Sequence, residues 1–235
     1  MDSTVSLPRH LLRARLRGLY VITDERMGGG HSVIARAALA GGAAIIQLRD
    51  KSSSLPRLLE TARELRRLTR SARALFIIND RVDVALAVQA DGVHLGPDDM
   101  PLAEARRVLG PHRLIGASCG DVEEARRAER AGADYIGAGA IFGTATKHDA
   151  GAPIGLEALR AIVAATTLPV AAIGGVNRDN IAAVMAAGAD MACVVSAVAS
   201  AGNESAMTAA TRDLIEAAGF NTGLTREELN LRPQK

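Results

Sequence analysis

Cations and carboxylates in this chain gather where short apolar runs end. Gln47-Leu48-Arg49-Asp50-Lys51 closes one such run. In an extended strand Gln47 and Arg49 point the same way, and Lys51 follows two residues later. A guanidinium pairs with two phosphate oxygens at once, and an ammonium acts as a point charge. Arg49 with Lys51 can therefore grip a polyphosphate. Asn79-Asp80 closes the next run, and Asp99 follows the one after it, in Gly96-Pro97-Asp98-Asp99. Mg²⁺ takes one or two protein carboxylates and fills its shell with phosphate oxygens and water. Asp80 and Asp99 are read as ligands of one Mg²⁺ ion per subunit, with Asp99 preferred over Asp98. Either aspartate alone could be a helix N-cap; two of them at strand ends favour a shared cation.

Other polar groups follow the same rule. Ser118, in Gly116-Ala117-Ser118-Cys119, can donate to a phosphate oxygen. No histidine lies beside it along the chain, which argues against a nucleophilic role, and Cys119 carries even less of that case. Thr144-Ala145-Thr146-Lys147 places two hydroxyls and an ammonium within four residues, a clamp for an anion that would also shut out water; His148 beside it has no assigned role. Gly174-Gly175 and Val195-Ser196 end two further runs. Glycine lets backbone N–H groups approach a phosphate, and a helix N-terminus behind them favours negative charge. His94, in Gly92-Val93-His94-Leu95, alternates with apolar neighbours and fits either a satisfied core histidine or a ligand contact. Asp91 is expected to open its strand at the far face.

The elements that must position these groups alternate along the chain. Strands are expected at 18–23, 44–49, 75–79, 92–95, 114–118, 135–138, 169–173 and 191–195. Helices are expected between them at 32–40, 55–71, 82–88, 101–109, 122–131, 156–165 and 178–187, with a last one at 205–218. Ala131-Gly132-Ala133 and Ala187-Gly188-Ala189 read as helix ends with a left-handed glycine cap. Continuous apolar strands such as Val170-Ala171-Ala172-Ile173 indicate burial on both faces, as in parallel sheets. Eight such units predict one α/β domain, a (β/α)8 TIM barrel over 18–218, in preference to an open doubly wound sheet. Residues 1–17 form an N-terminal helical extension and 219–235 a polar C-terminal tail. In such a barrel, chemistry sits at the carboxyl ends of the strands, often with a phosphate site after strands seven and eight. The mouth would then hold two anion sites, which suits two phosphorylated small molecules.

Composition agrees with that reading. The chain has 235 residues, close to the roughly 250 typical of this barrel. Its net charge is +2, and arginines interleave with acids in runs such as Glu123-Glu124-Ala125-Arg126-Arg127, the pattern of a solvated helix face. Aromatic residues make up only 2%, too few to stack nucleic-acid bases, so no nucleic-acid partner is expected. No apolar run approaches the roughly 20 residues that span a membrane, and the arginine-rich start lacks the core of a signal peptide. The two cysteines, Cys119 and Cys193, form neither a metal-ligand spacing nor a disulfide framework, so a cytoplasmic location is expected. A homo-oligomer is compatible with the sequence, which does not fix its state.

Taken in order, these segments resemble the thiamine phosphate synthase family over roughly residues 18–200. The resemblance rests on Gln47-Leu48-Arg49-Asp50-Lys51, Asn79-Asp80, Ala90-Asp91-Gly92-Val93-His94-Leu95-Gly96, Asp99, Ala131-Gly132-Ala133-Asp134-Tyr135-Ile136-Gly137, Thr144-Ala145-Thr146-Lys147, Ile173-Gly174-Gly175-Val176 and Val195-Ser196. It implies that Gln47, Arg49, Lys51 and Asn79 hold an aminopyrimidine diphosphate and that Asp80 and Asp99 bind Mg²⁺. It implies that Ser118 and Lys147 also hold that substrate or its leaving diphosphate. Thr144, Thr146, Gly175, Val195 and Ser196 would bind the thiazole phosphate. The implied reaction is a dissociative substitution that releases pyrophosphate, with Arg49, Lys51, Ser118 and Lys147 as the catalytic set and no protein nucleophile. Cys119-Gly120 after Ser118 and His148 after Lys147 depart from the family pattern and bear on fine substrate contacts.

Three other readings compete. A thiazole tautomerase of related sequence would need no diphosphate or metal grip, which Arg49, Lys51, Asp80 and Asp99 supply. A sugar-phosphate isomerase would need an acid–base pair that is not evident. A non-catalytic phosphate-ligand barrel would need an output surface or domain.

Overall fold

The computed structural model describes residues 7–144 and 151–220. Its order is α1 (Arg9–Arg13), β1 (Gly18–Thr23), α2 (His31–Gly41), β2 (Ile45–Leu48), α3 (Leu55–Ala72), β3 (Leu75–Asn79), α4 (Val82–Ala87), β4 (Gly92–Leu95), α5 (Leu102–Leu109), β5 (Leu114–Cys119), α6 (Val122–Arg130), β6 (Tyr135–Ala138), α7 (Gly155–Ala165), β7 (Val170–Ile173), α8 (Ile181–Ala186), β8 (Met191–Val194), α9 (Ser196–Ala199) and α10 (Glu204–Ala217). The strands pair in chain order and β8 closes on β1, all parallel. The fold is a (β/α)8 TIM barrel.

The period-2 alternation of the strands explains the layering. Tyr20 and Ile22, Ile45, Leu75 and Ile77, Leu114, Tyr135, Ala171, Met191 and Cys193 point inward and fill the barrel. Their neighbours Leu19, Val21, Ile46, Leu48, Phe76, Ile78, Val93, Ile115, Ile136, Ala172 and Val194 point outward and pack beneath the helices. A one-residue slip of any strand would exchange the two sets, so register is tightly set. Leu12 and Leu16 join the inner cluster from α1 and the turn after it, plugging the amino end of the barrel.

Aspartates stitch that lower rim. Asp91 Oδ2 accepts the Phe76 N–H at 2.8 Å, Asp134 Oδ2 the Ile115 N–H at 2.9 Å and Asp190 Oδ2 the Val170 N–H at 2.9 Å. Each residue precedes an even-numbered strand and satisfies the first donors of the strand before it. A buried carboxylate without partners costs several kcal/mol. Asp91 is offset by both guanidinium nitrogens of Arg66, and Asp134 by Arg106 at 2.6 Å and Arg9 at 3.2 Å. Asp91 thus stands at the face opposite the chemistry.

Two departures from the periodicity have local causes. The helix expected to begin at Arg178 starts at Ile181, because Asn180 Oδ1 accepts the Asn177 N–H at 2.8 Å and folds that stretch into a turn. The four-residue helix α9 is too short to leave a 3.6-residue signature in the sequence.

Candidate functional site

A cavity of about 530 Å³ opens at the carboxyl ends of the strands, within the usual range for small-molecule sites. Gln47, Arg49, Lys51, Asn79, Asp80, Asp99, Ser118, Thr144, Gly175, Val195 and Ser196 all line it. The fold therefore brings together every candidate residue that it describes. Thr146, Lys147 and His148 lie outside the described residues.

One wall carries the charged groups. After β2 the chain turns so that Asp50 Oδ1 accepts the N–H groups of Ser52 and Ser53, each at 2.9 Å. This turn presents Lys51, whose Nζ lies 3.5 Å from Asp80 Oδ2. Behind it His31 is buried, with Nδ1 2.7 Å from Thr23 Oγ1 and Nε2 3.4 Å from Asp50 Oδ2. Asp80 adopts the left-handed region, φ 61°, and its N–H donates to the His94 carbonyl at 2.9 Å. Asp99 is fixed by the Gly96 N–H, which donates to its Oδ2 at 2.7 Å. The Asp80 and Asp99 carboxyl groups are neighbours that can hydrogen-bond to each other. Burial, the hydrogen bond to Asp99 and the Asp99 charge push the Asp80 carboxyl up to about 6, against the pull of Lys51. Two adjacent carboxylates are a place where a hard cation can offset their charge. No cluster of three or more His, Cys, Asp or Glu side chains suited to a metal occurs among the described residues.

The facing wall is backbone. Gly174 and Gly175 follow β7 with φ of 101° and 65°. A Cβ on Gly175 would stand 2.5 Å from the Gly143 carbonyl oxygen, so only glycine lets this segment lie against the 142–144 stretch. Asn180 Nδ2 donates to the Gly175 carbonyl at 3.0 Å and holds the turn. Val195 is the N-cap and Ser196 the first residue of α9, the element that periodicity could not reveal.

The floor is a chain of hydrogen bonds. Gln47 Nε2 donates to Tyr20 Oη at 2.6 Å; Tyr20 Oη lies 3.0 Å from Tyr135 Oη; His94 Nδ1 lies 3.1 Å from Tyr135 Oη; His94 Nε2 lies 3.0 Å from Ser118 Oγ. Ser118 lacks a histidine neighbour only along the chain; β4 and β5 put one beside it. The pair is not a nucleophile–base couple of the triad kind, because the Nδ1 partner is a phenol and not a carboxylate. His94 is both a bonded core residue and a cavity residue. Sequence reasoning passes over Tyr20 and Tyr135, yet each occupies an inward strand position, and a phenol there is the signal that could have found them. Burial pushes the Cys119 thiol up to about 12, reinforced by Glu124 and Asp121. Cys119 also faces the helix layer, away from the cavity.

A parallel barrel whose mouth combines cations, a carboxylate pair and open glycine backbone defines a TIM-barrel protein built around small anionic ligands. Residues 19–198 match the family model described as thiamine monophosphate synthase. The thiamine-phosphate synthase of Moorella thermoacetica is 51% identical over 199 residues, 84% of this chain and 95% of that one. That of Chloroflexus aurantiacus is 53% identical over 198 residues, 83% and 90% of the two chains. The solved thiamine phosphate pyrophosphorylase from Pyrococcus furiosus is 48% identical, with a TM-score of 0.81 over 88% of this chain and 98% of that one. The chain belongs to the thiamine monophosphate synthase family.

Proposed function

We propose that this barrel joins 4-amino-2-methyl-5-hydroxymethylpyrimidine diphosphate to 4-methyl-5-hydroxyethylthiazole phosphate, giving thiamine phosphate and pyrophosphate. The observation that carries this reading is one cavity with two unlike anion-holding walls. Arg49 and Lys51 stand with the Asp80–Asp99 pair on one wall, and Gly175 with Val195-Ser196 is on the other.

The bond between the pyrimidine methylene carbon and the diphosphate oxygen breaks, and its electron pair leaves with the diphosphate. Arg49, Lys51 and Lys147 hold the charge that develops there, in a cavity where such interactions are stronger than in water. Ser118 adds a hydroxyl donor to the same group. The ring amino group, near Gln47 and Asn79, spreads the positive charge left on the methylene carbon. The thiazole nitrogen then gives its lone pair to that carbon, while Thr144, Thr146, Gly175, Val195 and Ser196 hold its phosphate. A Mg²⁺ ion held by Asp80 and Asp99 would neutralise diphosphate charge further. No covalent bond to the protein forms, which suits a mouth whose described residues include no activated nucleophile.

Pyrophosphate release, measured with both substrates and with each omitted, tests the reading. Release is expected only with both substrates present and with Mg²⁺ supplied. Isomerisation of a thiazole phosphate without any pyrimidine diphosphate would favour a tautomerase. Tight binding without turnover would leave a phosphate-ligand barrel. We further place the enzyme in the cytoplasm, supported by two buried cysteines that form no disulfide. Among the described residues no helix is long and apolar enough to cross a membrane.

A further inference from the structure

The floor chain has an all-or-none direction. Each phenol and each imidazole in it receives on one side and gives on the other, so reversing one hydrogen bond reverses the rest. Gln47 Nε2 can only donate, and it does so to Tyr20 Oη at 2.6 Å. Donation from Tyr20 to Tyr135, and from Tyr135 to His94 Nδ1, across 3.0 and 3.1 Å, is then the direction that gives each phenol hydrogen of the chain an acceptor. A histidine that accepts at Nδ1 carries its hydrogen on Nε2, which faces Ser118 Oγ at 3.0 Å. Ser118 accepts that bond and keeps its own hydrogen for the cavity.

We propose that Tyr20, Tyr135 and His94 are positioning residues that fix the His94 tautomer as Nε2–H and thereby commit the Ser118 hydroxyl to donate into the cavity. In the reverse direction Ser118 would spend its hydrogen on His94 and meet an anionic ligand with lone pairs alone. The packing is built for this chain. A Cβ on Gly116 would stand 2.1 Å from Tyr135 Cζ and 2.5 Å from His94 Nδ1, and one on Gly137 would stand 2.7 Å from His94 Cε1. Glycine at both sites leaves room for the phenol and the imidazole on the barrel floor. Both phenols are fully buried, and burial pushes each well above its ordinary range, so both keep the hydrogens that the chain requires. The hydrogen positions stand independently of the proposed reaction; what Ser118 donates to rests on that reading.

The test has two arms. In the first, long-range ¹H–¹⁵N spectra of the free full-length protein, with His94→Asn for assignment, report the His94 ring form without any substrate. The Nε2–H tautomer is expected in the wild type and in Tyr20→Phe, where Tyr135 can still donate. Its population is expected to fall in Tyr135→Phe, which takes the Tyr135 phenol away from Nδ1. A wild-type ring in the Nδ1–H or doubly protonated form would overturn the proposal, as would a Tyr135→Phe ring indistinguishable from wild type. In the second arm, Tyr135→Phe is expected to raise the KM for the pyrimidine diphosphate about tenfold, the loss of one charge-assisted hydrogen bond. The KM for the thiazole phosphate should not move. In a Ser118→Ala background the same substitution should add little. Equal effects in both backgrounds would show that Tyr135 acts as packing alone and would sink the proposal. A protein that shows the tautomer in the first arm yet releases no pyrophosphate would refute the reaction and leave the floor chain intact.

Discussion

The Lys51 ammonium stands 3.5 Å from Oδ2 of Asp80, joining the cations that follow β2 to the carboxylate that follows β3. The two residues are far apart in the chain, and the barrel makes them neighbours because β2 and β3 pair in register. Through Asp80 the contact continues to Asp99, so an ammonium and two adjacent carboxylates line this side of the mouth. A diphosphate laid there would meet the ammonium together with any cation that the two carboxylates hold.

Asp99→Ala and Asp99→Asn should both lower pyrophosphate release by about a hundredfold or more, in line with the several kcal/mol that metal-held charge contributes to such steps. Asp99 is half-buried at the rim, so the thermal midpoint should change little. An unchanged rate at saturating Mg²⁺ would remove Asp99 from the metal site.

Arg49→Lys keeps the charge and loses the planar fork. We expect kcat/KM for the pyrimidine diphosphate to fall about ten- to a hundredfold, because a lysine cannot bind two oxygens in one plane. The KM for the thiazole phosphate should stay within about twofold. Steady-state kinetics with each substrate varied in turn gives both numbers, and a loss confined to the thiazole phosphate would reassign the wall.

Gly175→Ala should do the reverse. Its φ is 65°, and an added methyl group would meet the Gly143 oxygen at 2.5 Å. Any side chain is therefore costly, by about 1–2 kcal/mol from the backbone conformation alone. The KM for the thiazole phosphate should rise, with that for the pyrimidine diphosphate unchanged, and denaturant titration should show the stability loss.

Stability should also fall on the acid side through His31. Burial holds its imidazole below the ordinary histidine value, against the attraction of Glu25 and Asp50. The unfolded chain, with a histidine value of about 6.5, therefore takes up a proton before the folded one does. The contribution is fully present above that pH and is lost as pH falls below it. His31→Gln should flatten the dependence of the urea midpoint between about pH 7.5 and 5, and an unaltered slope would show that another group sets it.

Cys119 and Cys193 are buried and both thiols are pushed up by burial. Neither should react with a thiol reagent until the protein unfolds. Cys119→Ala should keep pyrophosphate release near the wild-type rate.

Much of this protein is decided locally. Strand alternation with a period of two, helices between strands, and glycine where a helix must end are encoded within a few residues of where they act. So is the gathering of Arg49, Lys51, Asn79, Asp80, Asp99 and Ser118 at carboxyl ends of strands, since a parallel barrel sends every such end to one mouth. Other features are decided only by closure. Tyr20 and Tyr135 lie 115 positions apart and touch across the barrel interior. His94 reaches Ser118 because β4 and β5 pair with His94 opposite Gly116, two residues before the serine. Asp98 and Asp99 both line the cavity, and it is Asp99 that the Gly96 N–H holds and that neighbours Asp80. Sequence periodicity reports which face of an element is buried; it carries no information about which distant side chain waits on that face. Those pairings arise from strand register and barrel curvature, which belong to the closed sheet as a whole.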